Sequence, residues 1–486
     1  MKTQTDSVDI VLHRIFSPRT SYGQHIQNTK PPYFLKSIES ILQNRYCEIS
    51  YKFFDDRITK LMNTSKTKSK IYILDLTIFD IPCLEKIALD INKEINPALV
   101  IIIGQAATAM PSECLSFFND SIPVHVIGGE PEGVLEKFVF SAWPNIDQTG
   151  LKTKSYNREN LTLVRNQYSQ FNEAPPIFFS KEEIKSYQYL FPIKHNEPVV
   201  WGHIIATRGC PHSCSFCTHL IRESYGSSMR KKNISTIIAE IKSLQSLGVN
   251  MIAFGDDDLT GDQDYLKNLC ISIIEQKIHI KWTAHARIDE CTFELLKLMK
   301  TAGCSLLRFG LESGSEEVLK SFQKTRLPES WWKQINTILP VCKQLNIQTC
   351  GLFILGSPQD KFSTHLQTFI RIMKSPLDLI QLHFFTPYED TIESKKLGAK
   401  AKPTQHDHYA WNFVNYSQAT RFEVRFFYIL IYICFYLNPI RMITFTKNYS
   451  NFFLKNHDTA LTLIHGYIRV IFQFIPFKFK TNAHAD

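Results

Sequence analysis

Cys210-Pro211-His212-Ser213-Cys214-Ser215-Phe216-Cys217, entered through Thr207-Arg208-Gly209, is the stretch from which the rest of the chain can be read. Three thiols at C-x3-C-x2-C spacing can ligate three irons of one cubane iron–sulfur cluster and leave the fourth iron without a protein ligand. A structural zinc site closes its metal with four ligands, commonly two separated pairs, and no second pair lies near enough to complete one. Chance clustering, or a structural clip, is the competing reading, and it leaves the motifs downstream without a reason for their order.

Outward from the loop, Val199-Val200-Trp201-Gly202-His203-Ile204-Ile205 is an apolar run of strand length, and strand–helix alternation continues from it to about Gly398. The cysteines then sit behind a strand, on the face where a (β/α) barrel carries its chemistry. Further strand ends bring further polar groups. Met251-Ile252-Ala253-Phe254-Gly255 runs into Asp256-Asp257-Asp258, which suits an ammonium partner or, equally, a solvated acidic turn. Ile280 to Ala286 ends in Arg287, a surface cation or a contact to an anionic group. Cys270, Cys291, Cys304, Cys342 and Cys350 lack ligand spacing and read as small buried hydrophobes.

Before the loop, Val8-Asp9-Ile10-Val11-Leu12, Ile71 to Leu76 and Ala98 to Gly104 are continuously apolar strands separated by helical spacing, the mark of a parallel sheet covered on both faces. Ligands of such sheets lie beyond the carboxyl ends of the strands. Two small-residue turns stand there, Gly104-Gln105-Ala106-Ala107-Thr108 and Gly128-Gly129-Glu130-Pro131-Glu132, where a large planar group can approach the backbone. Residues 141–195 are polar and interrupted by Pro144, Pro175, Pro176 and Pro192, which predicts a surface connection. In the last 85 or so residues, Phe426 to Ile440 is an aromatic-rich run of fifteen, too short for the roughly 20 residues that a membrane span needs. A second apolar block, Leu461 to Phe477, carries His465 and Arg469. Helices packed over the open side of the barrel are preferred here to a surface resting on a bilayer.

The chain has 486 residues, 44% of them apolar, enough for two or three cores. Twelve cysteines at this length make no disulfide scaffold, and an oxygen-sensitive cluster needs a reducing compartment, so a cytoplasmic location is expected, with membrane association through the C-terminal region as the variant. Met1 to Asp6 shows no secretion signal. The formal charge of +9 is spread along the chain, and no nucleic-acid partner is expected.

The cysteine loop resembles the cluster-binding loop of radical S-adenosylmethionine (radical SAM) enzymes, and the strand and turn pattern of residues 8 to 140 resembles the cobalamin-binding domain that precedes it in one large subgroup. Ala302-Gly303-Cys304-Ser305-Leu306-Leu307-Arg308-Phe309-Gly310-Leu311-Glu312-Ser313-Gly314-Ser315 resembles the fourth-strand motif of that subgroup, and Gly351 to Pro358 its fifth-strand glycine motif. Phe435-Tyr436-Leu437-Asn438-Pro439 also recurs there. The resemblance implies an α/β chain in four parts. These are a doubly wound, Rossmann-like cobalamin domain (1–140), a linker (141–195), a radical SAM partial (β/α) barrel (196–400) and a helical C-terminal region (401–486).

It further implies a 4Fe-4S cluster on Cys210, Cys214 and Cys217, with S-adenosylmethionine on the open iron. Phe216, Asp256, Asp257, Arg287, Glu312 and Gly356 would contact that cofactor, and Gly104, Thr108, Gly129 and Glu130 would contact cobalamin. Gln105-Ala106-Ala107 departs from the glycine-histidine form of the subgroup, and Asp360 stands where a glutamate is usual. The implied activity is a C-methyltransferase acting on an unactivated carbon through a 5′-deoxyadenosyl radical. Cyclisation, rearrangement or oxidation without methyl transfer is the alternative. The implied partners are a small-molecule, lipid or peptide substrate and an electron donor such as flavodoxin or ferredoxin.

Overall fold

The computed structural model describes residues 7–15, 30–58, 67–160, 165–188, 191–193, 198–217, 228–388, 391–398 and 413–443. Two parallel sheets organise them. The first is built from β1 (Ser7–Arg14), β2 (Tyr51–Asp55), β3 (Lys68–Leu76), β4 (Leu99–Gly104) and β5 (Val124–Val126), in the order β2-β1-β3-β4-β5. β4 is buried at every residue and β3 at all but two, because helices cover both faces. One face packs on α1 (Tyr33–Arg45) through Leu35, Ile38 and Ile41. The other packs on α2 (Ile81–Asp90) through Leu84 and Ala88. This is the doubly wound sheet expected of the N-terminal part.

After it come β6 (Gly128–Gly129) and β7 (Arg165–Asn166), which pair with each other, then β8 (Trp201–Ile204), β9 (Thr207–Arg208), β10 (Arg230–Lys231), β11 (Met251–Phe254), β12 (Lys281–Ala286), β13 (Cys304–Glu312), β14 (Gln348–Leu355) and β15 (Leu379–Phe384). Six of these form the second sheet, all parallel, in the order β15-β14-β13-β12-β11-β8. β8 and β15 are its two edges, so it is a partial barrel. Alternation along each strand sends Ile252, Phe254, Ala284, Leu307, Phe309 and Leu382 outward under the helices. Trp201, Met251, Ala253, Leu306, Cys350 and Leu379 point inward and form a floor with Ile193.

Residues 141–195 differ from the expected surface connection. Leu151, Tyr156, Tyr168, Phe171 and Tyr187 are buried in the two cores, and Ile193 fills the floor. The segment also bonds to both domains: Tyr187 donates to Asp55 at 2.9 Å, Lys36 donates to Glu183 at 2.8 Å, and the Tyr187 carbonyl meets His203 Nε2 at 3.0 Å. Prolines spaced along a polar stretch read as a loop, but the aromatics between them are anchors.

The C-terminal helix α3 (Arg421–Tyr436) starts at a capping box in which Thr420 and Glu423 satisfy each other's backbone N–H. Val424, Phe427, Ile431 and Phe435 bury one face against the barrel's helical layer, Phe427 on Phe362 and His365. Tyr436 Oη accepts from the Ile380 N–H at 3.2 Å, and Tyr432 Oη accepts from the Leu382 N–H at 3.0 Å, both on edge strand β15. Phe422, Phe426, Ile433 and Leu437 remain exposed. No described helix is long and apolar enough to cross a membrane. The block Leu461 to Phe477 lies outside the described residues.

Candidate active site at the cysteine loop

The three cysteines follow β8 at the carboxyl end of the barrel sheet, all half-buried and none in a disulfide. Burial pushes the Cys210 thiol up to about 12, helped by Asp258, Asp257 and Cys214. Cys217 is raised by burial and by the neighbouring Cys214. Thiols crowded in this way resist becoming thiolates until a cation arrives, and a polynuclear iron centre is such a cation. Cationic groups already face them. Arg287 Nη1 lies 3.8 Å from Cys214 Sγ, and Lys324 lies within electrostatic reach of both Cys214 and Cys217. The donor set and its surroundings therefore fit an iron–sulfur cluster.

The loop is held from several sides. Asp256, fully buried at the end of β11, accepts from the Thr207 N–H, from the Thr207 hydroxyl at 2.7 Å and from the Ala206 N–H at 3.3 Å. This corrects the expectation that Asp256 contacts the cofactor, since its carboxylate braces the entry to the loop. Asp257 is half-buried, and burial together with Asp256 pushes it up to about 7. His212, inside the loop, donates to Glu290 at 2.6 Å and lies 3.6 Å from Asp258. Glu290 in turn accepts from Thr260 at 2.7 Å.

Glu312 ends β13 at a register shift with φ +63°, in the left-handed region that a glutamate rarely occupies. Its carboxylate accepts from Lys324 at 3.0 Å, and Gly310 lacks the side chain that would collide with both groups. Arg287 is held by Asp289 at 2.8 Å and by the Lys324 carbonyl at 2.8 Å. Phe216 packs on Phe322 with ring centroids 4.6 Å apart. Gly356, at φ +84°, sits under Val424 of α3. Asp360 is spent on a turn, accepting from Ser357 and Thr364 at 2.9 Å each.

The glycine turns of the first domain hold each other. Thr108 Oγ1 donates to the Gly104 carbonyl and accepts from the Gly129 N–H, both at 3.0 Å. A Cβ on Gly104 would lie 2.2 Å from Asp75, and one on Gly129 would lie 2.3 Å from the Asn166 carbonyl, so both glycines admit the protein's own chain. Glu130 is fully buried and accepts from Arg208 at 2.8 Å, from Arg230 and from the Tyr168 N–H. Its assignment to a cofactor is corrected accordingly, because it has no face left for one. Glu132 takes the other side of Arg208 at 2.8 Å. Thus two carboxylates of the first domain clamp the residue two positions before Cys210. Sequence reading missed this role of Arg208 and that of Lys324. A buried cation next to the cysteine motif was the available signal, and its partners lay too far along the chain to be seen.

The architecture is a partial barrel behind a doubly wound domain, with a three-cysteine loop at the barrel's carboxyl end. Residues 204–367 match the Radical SAM superfamily, and the chain carries a radical SAM domain there. It is 26% identical over 319 residues to an uncharacterized methyltransferase, PH0819, of Pyrococcus horikoshii, covering 65% of each chain. It is also 26% identical over 320 residues to the bacteriochlorophyllide d C-12(1)-methyltransferase of Chlorobaculum tepidum, covering 64% of this chain and 62% of that one. Both matches span slightly under two thirds of the relative. The fold is shared with the radical SAM methyltransferase TsrM of Kitasatospora setae, solved with cobalamin and a [4Fe-4S] cluster, at TM-score 0.62 and 13% identity over 79% of this chain and 77% of that one.

Proposed function

We propose that the protein is a cobalamin-dependent radical SAM enzyme that transfers a methyl group to an unactivated carbon. The observation that carries this reading is the loop behind β8 that bears three half-buried thiols, none in a disulfide, and is clamped through Arg208 to a doubly wound domain in a fold shared with TsrM. When bound, the cluster supplies the electron that cleaves S-adenosylmethionine and cobalamin carries the methyl group, while the protein binds, orients and shields.

Cys210, Cys214 and Cys217 would hold the cluster. Arg287 and Lys324, both buried, would offset its negative charge. Asp257, Glu312, Phe216 and Gly356 are the groups that would meet the amino, ribose and adenine parts of S-adenosylmethionine. For cobalamin, the Gly104 to Thr108 and Gly128-Gly129 turns would supply a low wall at the carboxyl edge of the first sheet, with half-buried Gln105 its largest side chain. A flavodoxin or ferredoxin would supply the electron, and the substrate is a small molecule, a lipid or a peptide.

The test is anaerobic reconstitution with iron, sulfide and hydroxocobalamin, followed by assay of bound metal, bound cobalamin and S-adenosylmethionine turnover. About four irons and one cobalamin per chain, with reductive cleavage of S-adenosylmethionine, are expected. A cluster without cobalamin would remove the methyltransferase reading and keep the radical SAM domain.

A further inference from the structure

The arc of the loop between Cys210 and Cys214 carries a ligand-type group of its own, and two strand ends supply two more. His212 lies on that arc, Asp258 follows β11, and Glu290 stands in the turn after β12. His212 Nε2, Asp258 Oδ2 and Glu290 Oε1 lie within 4.8 Å of one another, with Nε2 2.6 Å from Oε1 and 3.6 Å from Oδ2. The Asp258 side chain is 3% exposed and that of His212 29%, so the group is closed on the carboxylate side and open to water at the imidazole.

Donors are short there. Thr260 Oγ1 lies 2.8 Å from Asp258 Oδ1 and 2.7 Å from Glu290 Oε2, but a hydroxyl has a single hydrogen to give. Asp258 Oδ1 keeps the Thr260 N–H at 3.2 Å. Asp258 Oδ2, by contrast, is enclosed beside the imidazole and accepts no hydrogen bond among the described residues. An enclosed carboxylate oxygen without a donor is costly. Arg287 is the cation within electrostatic reach, and its guanidinium is spent on Asp289 and the Lys324 carbonyl. Two carboxylates thus converge on one imidazole with an oxygen left unmet.

We propose that His212, Asp258 and Glu290 bind a divalent first-row metal ion, separate from the cluster and touching none of its three cysteines. One neutral imidazole and two carboxylates carry the charge that a divalent ion cancels, and this mixed nitrogen and oxygen set suits such ions. Ligands about 2.0–2.2 Å from one ion stand roughly 3–3.4 Å apart, a spacing inside the observed spread. On binding, Nε2 exchanges Glu290 for the metal and the ring proton sits on Nδ1. Water reaches the ion past His212 and completes its shell. The ion would pin the arc that carries Cys210 and Cys214 to the ends of β11 and β12, a structural role beyond the radical SAM reading and independent of its chemistry.

The probe is Mn2+, which favours oxygen and imidazole over thiolate and so spares the cysteines. Reconstituted holoenzyme with its cluster oxidised and EPR-silent is titrated with Mn2+ in excess Mg2+. Saturable loss of the free-ion signal at about one ion per chain is expected, with nitrogen coupling from an imidazole in the pulsed spectrum. Asp258→Asn and Glu290→Gln should each weaken binding at least about tenfold, and His212→Gln should remove the nitrogen coupling. No saturable binding by the wild-type enzyme would mean an ion pair only and overturns the proposal. Binding without nitrogen coupling, or binding unchanged in both carboxylate variants, overturns it equally. Iron and S-adenosylmethionine turnover measured on the same samples report on the class reading separately.

Discussion

Arg208 and Glu130 are 78 positions apart in the chain and 2.8 Å apart in the fold, both almost fully buried. The first belongs to the entry of the cysteine loop and the second to a glycine turn of the other domain. A charge taken so far from water is held only if its partners are complete, and here Glu132, Arg230 and the Tyr168 N–H complete them. The cysteine loop is thereby fixed to the doubly wound domain.

Glu130→Ala should leave Arg208 and Arg230 short of counter-charge and cost about 3–5 kcal/mol. Urea unfolding followed by tryptophan fluorescence would read the lower midpoint. Removing a mere surface pair, as in Lys152→Ala, should change it by less than about 1 kcal/mol.

Cys214→Ala should abolish retained iron and turnover of S-adenosylmethionine while leaving far-ultraviolet circular dichroism unchanged. The exposed Cys47, changed to Ser, should keep both. Equal iron in the two variants would mean that the loop is not the ligand set.

Glu312→Gln retains the size of the side chain and weakens its hold on Lys324. Loss of a charged hydrogen bond of this kind corresponds to about 1.5–3 kcal/mol. KM for S-adenosylmethionine should rise at least about tenfold with iron content unchanged.

Asp256, Asp257 and Asp258 are pushed by burial up to about 6, 7 and 6. The fold therefore holds protons that the unfolded chain, with ordinary carboxyls near 3.8, has released. Between about pH 4 and 7 the native state binds more protons than the unfolded one, so stability of the metal-free protein falls as pH rises. Asp257→Asn should flatten that slope, and urea midpoints at pH 5 and pH 7.5 would measure it.

Gly248 and Gly303 both adopt positive φ, +87° and +101°, but a Cβ on Gly248 meets nothing within 4 Å and one on Gly303 would lie 2.0 Å from the Ile280 carbonyl. Gly248→Ala should cost about 1 kcal/mol and Gly303→Ala at least about 3 kcal/mol. The difference separates backbone strain from collision at two tight turns.

Periodicity made most of this fold legible. The apolar run Ile71 to Leu76 lies inside β3 and Ala98 to Gly104 all but coincides with β4, because covered parallel strands are written as continuous apolar stretches, whereas Cys304 to Glu312, which is β13, was read through the family resemblance. The cysteine loop was equally plain, since its ligands are local. Charged residues fared worse. Asp256 and Glu130 carry the look of ligand contacts, an acid at a strand end and an acid in a glycine turn, yet both are consumed by groups 49 to 100 positions away. Such pairings depend on how two domains dock, and local pattern holds no record of that. The anchors of residues 141–195 were missed for the same reason.

Tyr432 and Tyr436 put two phenol oxygens along the outer rim of β15, where backbone N–H groups would otherwise stand bare. An uncovered strand rim invites pairing with other chains. The aromatic tail is therefore part of the barrel's wall, and a version of this protein cut short before Arg421 would be expected to clump through that rim long before any question of catalysis arose.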